Sequence, residues 1–130
     1  MHKDTQIIEA AYNDDLGVTA RFNRNLLVRI NRELGADFQV EQFAHLAFYN
    51  AHDHRIEMHL VSRQPQWVHV DDEVFFFEAG ESICTEYSYK YSLDCLRELA
   101  HAAGFELRKT WLDERDYFSV SYLTVNQPEA

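Results

Sequence analysis

The chain has 130 residues and a mass of 15.3 kDa, the size of one ordinary domain. Its 22 acidic and 12 basic residues give a formal charge of −10, which disfavours nucleic acid and anionic membranes as partners. With 46% apolar residues, four glycines and two prolines, the composition excludes disordered and fibrous proteins.

The absence of targeting signals in the sequence and its low cysteine content both favour the cytoplasm. No apolar run is long enough to span a membrane, and the start MHKDTQ lacks the apolar core of a signal peptide. Two cysteines, Cys84 and Cys95, are too few for a disulfide framework. We therefore expect reduced thiols in a cytoplasmic protein with no membrane partner.

Two helices are predicted at the start of the chain. Residues 3–13 have apolar side chains at helical spacing, and the turn signal NDDLG follows at 13–17. A second helix runs from there to about Leu34, and Gly35 is a natural stop for it. Its apolar residues recur at every fourth position: Val18, Phe22, Leu26, Ile30 and Leu34.

Three strands are predicted next, at residues 55–60, 66–77 and 82–91, with a turn at 78–81. Short connections between them favour an antiparallel meander. In the middle segment the run Phe75–Phe77 is predicted to be strand core, with the central ring on the opposite face. Strict alternation would separate the third strand into two faces. One face holds Thr85, Tyr87, Tyr89 and Tyr91, and the other holds Cys84, Glu86, Ser88 and Lys90.

The end of the chain changes pattern. Ser92 is predicted to cap a helix that runs to about Ala103, with Gly104 as its stop. Strands are predicted at residues 105–111 and 117–125. A lone hairpin is marginal in water, so we expect these strands to close a larger sheet whose other strands this chain lacks.

Histidines raise the possibility of a metal site. His52, Asp53, His54 and His59 lie close together in the sequence, but a metal site needs three or four converging ligands with an oriented second shell. A solvated turn before the strand at 55–60 is the favoured interpretation. The two cysteines are eleven positions apart without a CxxC motif, so we expect no metal cofactor.

Two residues have both a structural and a functional interpretation, and a third has only a structural one. Glu86, in mid-strand, is either on a solvated sheet surface near Lys90 or a buried acceptor for a ligand donor. Tyr12 either fills the core or donates to an anionic ligand group, and Met58 is by default a core thioether. No GxGxxG, P-loop, GxSxG or HExxH motif is present, which excludes a phosphate-binding loop within this chain.

Taken together, three stretches carry a family resemblance: AAYNDDLGVTARFNRNLLVRINRELGADF, RIEMHL and ESICTEYSYKY. From about Lys3 to Leu123, the chain resembles the C-terminal half of the S-adenosylmethionine (SAM)-dependent histidine Nα-methyltransferases of ergothioneine biosynthesis. The broader family also contains enzymes that methylate the amine of tryptophan derivatives.

The resemblance implies an α+β fold. Residues 1–91 would form most of a substrate-binding lobe, with N-terminal helices packed on an antiparallel β-meander. Residues 92–130 would supply a helix and a terminal β-hairpin of an incomplete Rossmann-like methyltransferase sheet.

The resemblance also assigns four substrate-binding residues. Tyr12 matches the tyrosine that holds the substrate carboxylate, and Met58 matches a residue that lines the imidazole pocket. Glu86 and Ser88 match the pair that hydrogen-bonds the imidazole ring, and a carboxylate acceptor favours histidine over a tryptophan-type substrate.

The family's SAM-binding half is missing from this sequence, so we expect a fragment with no catalytic or cofactor-binding residue, inactive in isolation. Met1 is then not the family's usual start. A separate cofactor-binding half would be its partner, and the strands at 105–111 and 117–125 would drive homo-oligomerisation. The alternatives are a non-enzymatic amino-acid-binding or regulatory module, or a fragment of a tryptophan-type amine N-methyltransferase.

Overall fold

The computed structural model describes residues 5–125. Residues 5–88 form one compact unit, and residues 89–125 belong to a second. The first unit contains helices α1 (Thr5–Tyr12) and α2 (Val18–Leu34), a short 3-10 helix (Val40–Gln42), and strands β1 (Phe43–Asn50), β2 (Arg55–Ser62), β3 (Gln66–Val70), β4 (Glu73–Phe77) and β5 (Ser82–Tyr89), the last of which ends at the boundary. The second contains α3 (Leu93–Ala102), β6 (Phe105–Leu112) and β7 (Ser119–Val125).

The predicted mixed α+β class with antiparallel sheets is confirmed, but the strands are distributed differently. A three-stranded sheet has the order β1–β2–β5, and β1 was not predicted. The predicted single strand at 66–77 is wrong: it is a separate antiparallel hairpin, β3–β4. Asp71, with φ of 53°, adopts the left-handed backbone conformation that lets the chain reverse there.

Two apolar clusters join the helices to one face of the three-stranded sheet. The cluster under α2 contains Leu27, Phe38, Phe43, Leu60 and Val68, and the cluster under α1 contains Ile8, Ala47, Ile56 and Met58. The predicted alternation of Ile56, Met58 and Leu60 is confirmed, because all three are buried. Phe77 packs against the first cluster, whereas Phe75 and Phe76 are largely exposed, so the prediction that all three rings are core is wrong for those two.

Helix α2 ends where predicted, at Gly35, whose φ of 62° is the left-handed conformation typical of helix ends. The helix buries Asn23 and Leu27, while Phe22 and Leu26 on its four-residue repeat are exposed. The buried face is therefore shifted by one position from the apolar repeat, and a polar side chain lies within it.

The start of α2 is held by Asp14. Its carboxylate oxygens accept hydrogen bonds from the backbone amides of Val18 at 2.8 Å and Thr19 at 2.9 Å. The amides of Thr19 and Val18 lower the pKa of Asp14 to about 2, because hydrogen bonds to the charged form favour that form. The acidic turn thus satisfies two of the helix's free N–H groups.

We predict that Asp14→Ala lowers the stability of the chain at neutral pH. The stability of the variant should also fall less than that of wild type as the pH is lowered. Since the folded pKa is depressed, the contribution of Asp14 is present above the unfolded pKa of about 4 and is lost as the pH falls through about 2. Urea midpoints measured from pH 6 to pH 2 would show this difference. The exposed neighbour Asp15, changed to alanine, is the matched control; an equal effect there would contradict the assignment.

The second unit has the predicted helix and strands. The Ser92 side chain accepts from the Cys95 amide at 3.1 Å and caps α3, and Gly104 follows its end with φ of 80°. Strands β6 and β7 pair antiparallel with each other and, among residues 5–125, with no further strand. Membership of a larger Rossmann-like sheet, the boundary after residue 91 and homo-oligomerisation through these strands stay predictions. No helix within residues 5–125 has both the length and the apolar character needed to cross a membrane.

Candidate functional site

A cavity of about 180 Å³ lies between α2 and the three-stranded sheet. It is smaller than the roughly 300–1,000 Å³ typical of drug-sized ligands and suits part of a small molecule. Its walls are formed by α2 on one side and by β2 and β5 on the other: Phe22, Asn23, Asn25, Leu26, Arg29, Met58, Thr85 and Glu86.

Met58 and Glu86, two of the residues predicted to bind substrate, meet in this cavity. Met58 is 2% exposed and supplies an apolar thioether surface. Glu86 is half-buried, and its carboxylate forms no hydrogen bond or ion pair with another residue of the described part of the chain. Arg29, at the rim, is held by a bidentate contact to Glu33 at 3.2 Å. Glu86 is therefore an acceptor at the cavity wall whose carboxylate has no partner within residues 5–125.

Tyr12 and Ser88, the other two predicted residues, contact each other. The Tyr12 hydroxyl lies 2.8 Å from Ser88 Oγ and links the end of α1 to the end of β5. The Tyr12 ring also packs against the cluster that contains Met58. Ser88 lies two residues beyond Glu86 on β5, so the four predicted residues occupy one region of the first unit, as two pairs.

The predicted faces of β5 are wrong at one point. Thr85 and Glu86 are consecutive, yet both line the cavity, and the Thr85 hydroxyl reaches Met58 O at 3.0 Å. Cys84, placed with Glu86 by strict alternation, instead lies beside Tyr87 and raises the pKa of Tyr87, while its Sγ donates to the Glu86 carbonyl oxygen at 4.0 Å. Two successive residues on the same side are what a β-bulge produces. Thr85 and Glu86 therefore both contribute to the wall of the cavity.

Asn23 is a buried polar residue that sequence reasoning missed. It is 2% exposed, and its Nδ2 donates to His45 Nδ1 at 3.0 Å and to the His59 carbonyl at 3.1 Å. Its Oδ1 accepts from the Thr85 hydroxyl at 2.6 Å. One side chain thus ties α2 to β1, β2 and β5 beside the cavity.

His45 extends this connection to Tyr12. Its Nε2 lies 2.9 Å from the Tyr12 carbonyl oxygen, which can only accept, so Nε2 carries a proton. Its Nδ1 receives a hydrogen bond from Asn23, so that nitrogen carries none. His45 is therefore the neutral Nε2–H tautomer, and it holds the residue that ends α1. Tyr12 is therefore positioned by the buried Asn23 and the half-buried His45 as well as by its own packing.

The histidines at 52 and 54 lie in the turn at residues 51–54, and the prediction of a turn there is confirmed. The His52 side chain is 95% exposed. Asp53 pairs with Arg55 at 3.0 Å, and Arg55 also pairs with the buried Glu57 at 2.8 Å. Hydrogen bonds from Asn50 and then Arg55 lower the pKa of Glu57 to about 2.

The family is decided by comparison with known proteins. The family model for histidine-specific, SAM-dependent methyltransferases matches residues 1–125. The chain belongs to this family. The resemblance drawn from the three sequence stretches is thereby confirmed.

Two members of the family show how much of a full enzyme is present. The chain is 43% identical over 121 residues to the histidine N-alpha-methyltransferase of Mycobacterium tuberculosis (strain CDC 1551 / Oshkosh). It is 46% identical over 123 residues to that of Mycolicibacterium smegmatis (strain ATCC 700084 / mc(2)155). Each alignment covers 92% of this chain, and the chain spans 38% of the length of each relative.

The described residues contain no binding loop for SAM, the methyl donor of the family, of the kind found in doubly wound sheets. Doubly wound sheets bind nucleotide-type cofactors at the carboxyl ends of parallel strands, beside a glycine-containing loop. The pairs β1–β2, β3–β4 and β6–β7 are antiparallel, and the four glycines lie far apart at turns or helix ends. These pairs and glycines therefore do not form a SAM-binding loop of that kind within residues 5–125.

Proposed function

We propose that this chain is the amino-acid-recognition portion of a SAM-dependent enzyme that transfers a methyl group to the α-amino nitrogen of histidine. The observation that carries the proposal is the Glu86 carboxylate, half-buried beside Met58 without a partner among residues 5–125. An imidazole N–H is the donor that completes such a carboxylate, and the ring's apolar face suits a thioether.

In this proposal the four residues divide the substrate between them. Glu86 accepts the imidazole N–H, Ser88 hydrogen-bonds the same ring, and Met58 packs against the ring. Tyr12, held beside Ser88 at 2.8 Å, receives the carboxylate. Holding the ring and the carboxylate fixes the direction of the α-amino group between them, which is the positioning that a bimolecular transfer needs.

The transfer step belongs to the part of the enzyme that binds the sulfonium donor. This chain contributes binding and orientation, and it is expected to be inactive alone. The two exposed free cysteines, Cys84 and Cys95, agree with a reducing, cytoplasmic setting.

We predict that Glu86→Ala weakens histidine binding roughly 10- to 100-fold, since a desolvated donor left without its acceptor costs about 1–3 kcal/mol. Calorimetric titration of the chain with histidine measures this change. Thienylalanine, whose ring has no N–H, should bind wild type more weakly than histidine, and the variant should lose that preference.

Glu73→Ala is the matched control, because Glu73 is an exposed glutamate on β4 of the same unit. It should bind histidine as wild type does. Equal histidine affinity in wild type and Glu86→Ala would refute the assignment of the ring acceptor. A folded wild-type chain that binds tryptophan better than histidine would favour the tryptophan-type alternative.

A further inference from the structure

Three metal-ligating side chains converge in the first unit, away from the substrate cavity. Glu57 and His59 flank Met58 on β2, so they project from the opposite face of the strand. Cys84 approaches them from the neighbouring strand β5. One ligand atom from each of the three residues lies within 4.8 Å of the other two.

We propose that Glu57, His59 and Cys84 form a binding site for a divalent zinc ion. Carboxylate oxygen, imidazole nitrogen and thiolate sulfur are the three donor types that zinc takes in proteins. Tetrahedral bonds of about 2.0–2.3 Å place ligand atoms roughly 3.3–3.8 Å apart. Glu57 Oε2 and His59 Nε2 are already 3.2 Å apart, so adjustment of the exposed Cys84 side chain completes the set.

The Glu57 carboxylate is oriented for this role by its other oxygen. Oε1 accepts from Asn50 Nδ2 at 2.9 Å and from Arg55 Nε at 2.9 Å. These bonds leave Oε2 to face His59, whose Nε2 lies 3.2 Å away and hydrogen-bonds it until an ion takes that place. Outer hydrogen bonds of this kind hold metal-binding carboxylates in place and are typical of metal centres.

His59 has a matching outer partner. Its Nδ1 lies 3.2 Å from Ser82 Oγ, and its ring stacks on Phe48 with centroids 5.3 Å apart. When zinc occupies Nε2, Nδ1 carries the proton and donates it to the Ser82 hydroxyl, so the tautomer that zinc needs is the one that Ser82 accepts. Without the ion, Nε2 donates to Glu57 Oε2 at 3.2 Å, so zinc replaces that proton while the position of the ring is kept.

Charge and access also suit a dication. A Cys84 thiolate and the Glu57 carboxylate balance two positive charges, while the charge of Arg55, which pairs with Glu57 Oε1 at 2.8 Å, is shared with Asp53 at 3.0 Å. Glu57 and His59 side chains are 10% and 15% exposed, and Cys84 opens the group to solvent. Three protein ligands leave the fourth position for water, and the bound ion would brace β2 against β5.

The experiment titrates the reduced full chain with zinc in competition with a chromophoric chelator. Cys84→Ser and His59→Gln are each expected to weaken zinc binding at least tenfold, since the loss of even an outer-shell partner costs roughly 10- to 100-fold in metal affinity. Cys95→Ser and His52→Gln are the matched controls, since both residues are exposed and outside the cluster. Unchanged zinc affinity in Cys84→Ser would overturn the proposal, as would an equal loss in Cys95→Ser.

Two further measurements keep the test independent of folding defects. Cobalt(II) in place of zinc should give a sulfur-to-metal charge-transfer band that Cys84→Ser lacks and Cys95→Ser retains. Zinc should also slow alkylation of Cys84 but not of Cys95, read by mass spectrometry of the wild-type chain. A cobalt spectrum without a sulfur band, or equal alkylation of Cys84 with and without zinc, would overturn the site.

Discussion

Replacing Asn23 by leucine is expected to lower the free energy of unfolding of the chain by roughly 2–4 kcal/mol, because buried polar groups left unpaired cost about 1–3 kcal/mol each. Leucine has a similar volume but cannot donate. His45 Nδ1 and the His59 carbonyl would lose their donor, whereas the Thr85 hydroxyl keeps Met58 O as a second acceptor. Urea unfolding followed by circular dichroism measures the loss as a lower midpoint.

Asn25→Leu is the matched control for this stability measurement. Asn25 lies two residues away on the same helix and is exposed, so the same chemical change there should shift stability by less than about 0.5 kcal/mol. If Asn23→Leu and Asn25→Leu unfold at the same urea concentration, the buried hydrogen bonds of Asn23 do not contribute as described.

The same variant should weaken histidine binding under conditions in which it remains folded. Without Asn23, the His45 ring loses the bond that restrains it, and His45 holds the Tyr12 carbonyl at 2.9 Å. Tyr12 then has more freedom relative to Ser88, and a ligand must bear the entropy of ordering it. An unchanged histidine affinity would show that Tyr12 is positioned by its packing alone.

Local signals predicted the elements whose ends have a clear chemical cause. Gly35 ends α2 and Ser92 begins α3, each through a backbone or side-chain preference that acts within one turn. The alternation in β2 was readable because its even positions face an apolar core. Such signals are local, so they survive without knowledge of the tertiary structure.

Elements without a local signal were missed. Strand β1 carries apolar residues on both faces, including Leu46 and Phe48 on its exposed face, so it has no two-residue period. The turn between β3 and β4 uses Asp71 in a left-handed conformation where the usual signal is glycine or asparagine.

The candidate site divides in the same way. Met58, Glu86, Ser88 and Tyr12 were proposed through family resemblance, whereas Asn23 has no sequence signal because one polar residue in a helix is usually solvated. Its burial is satisfied by two acceptors and one donor on three different strands. The zinc cluster also escaped the sequence analysis, since Cys84 is 25 positions from His59 and meets it only through pairing of β5 beside β2.

The largest loss of stability is expected from Phe43→Ala. Phe43 is fully buried at the start of β1, and its ring meets Phe38 at 5.7 Å and Phe77 at 5.5 Å between centroids, both edge to face. Removing it deletes a large apolar surface and leaves a cavity between α2, β1 and the β3–β4 hairpin. Phenylalanine-to-alanine changes in cores cost about 3–5 kcal/mol, a large share of the roughly 5–15 kcal/mol that holds an ordinary domain together.

Phe75→Ala supplies the comparison, because Phe75 lies on β4 and is 48% exposed, so its truncation deletes the same atoms without opening a core cavity. Its loss should stay near 1 kcal/mol, within the span of strand preferences. Urea unfolding of both variants measures how much of the stability loss comes from the buried packing of Phe43 and how much from deleting the same atoms at any position. Equal losses of unfolding free energy in the two variants would mean that the packed rings at 38, 43 and 77 do not contribute more to stability than an exposed ring does. A larger loss of stability for Phe43→Ala is the expected result. If histidine also binds more weakly to this variant, the packing of Phe43 helps to hold β1 and His45, and therefore Tyr12, in place.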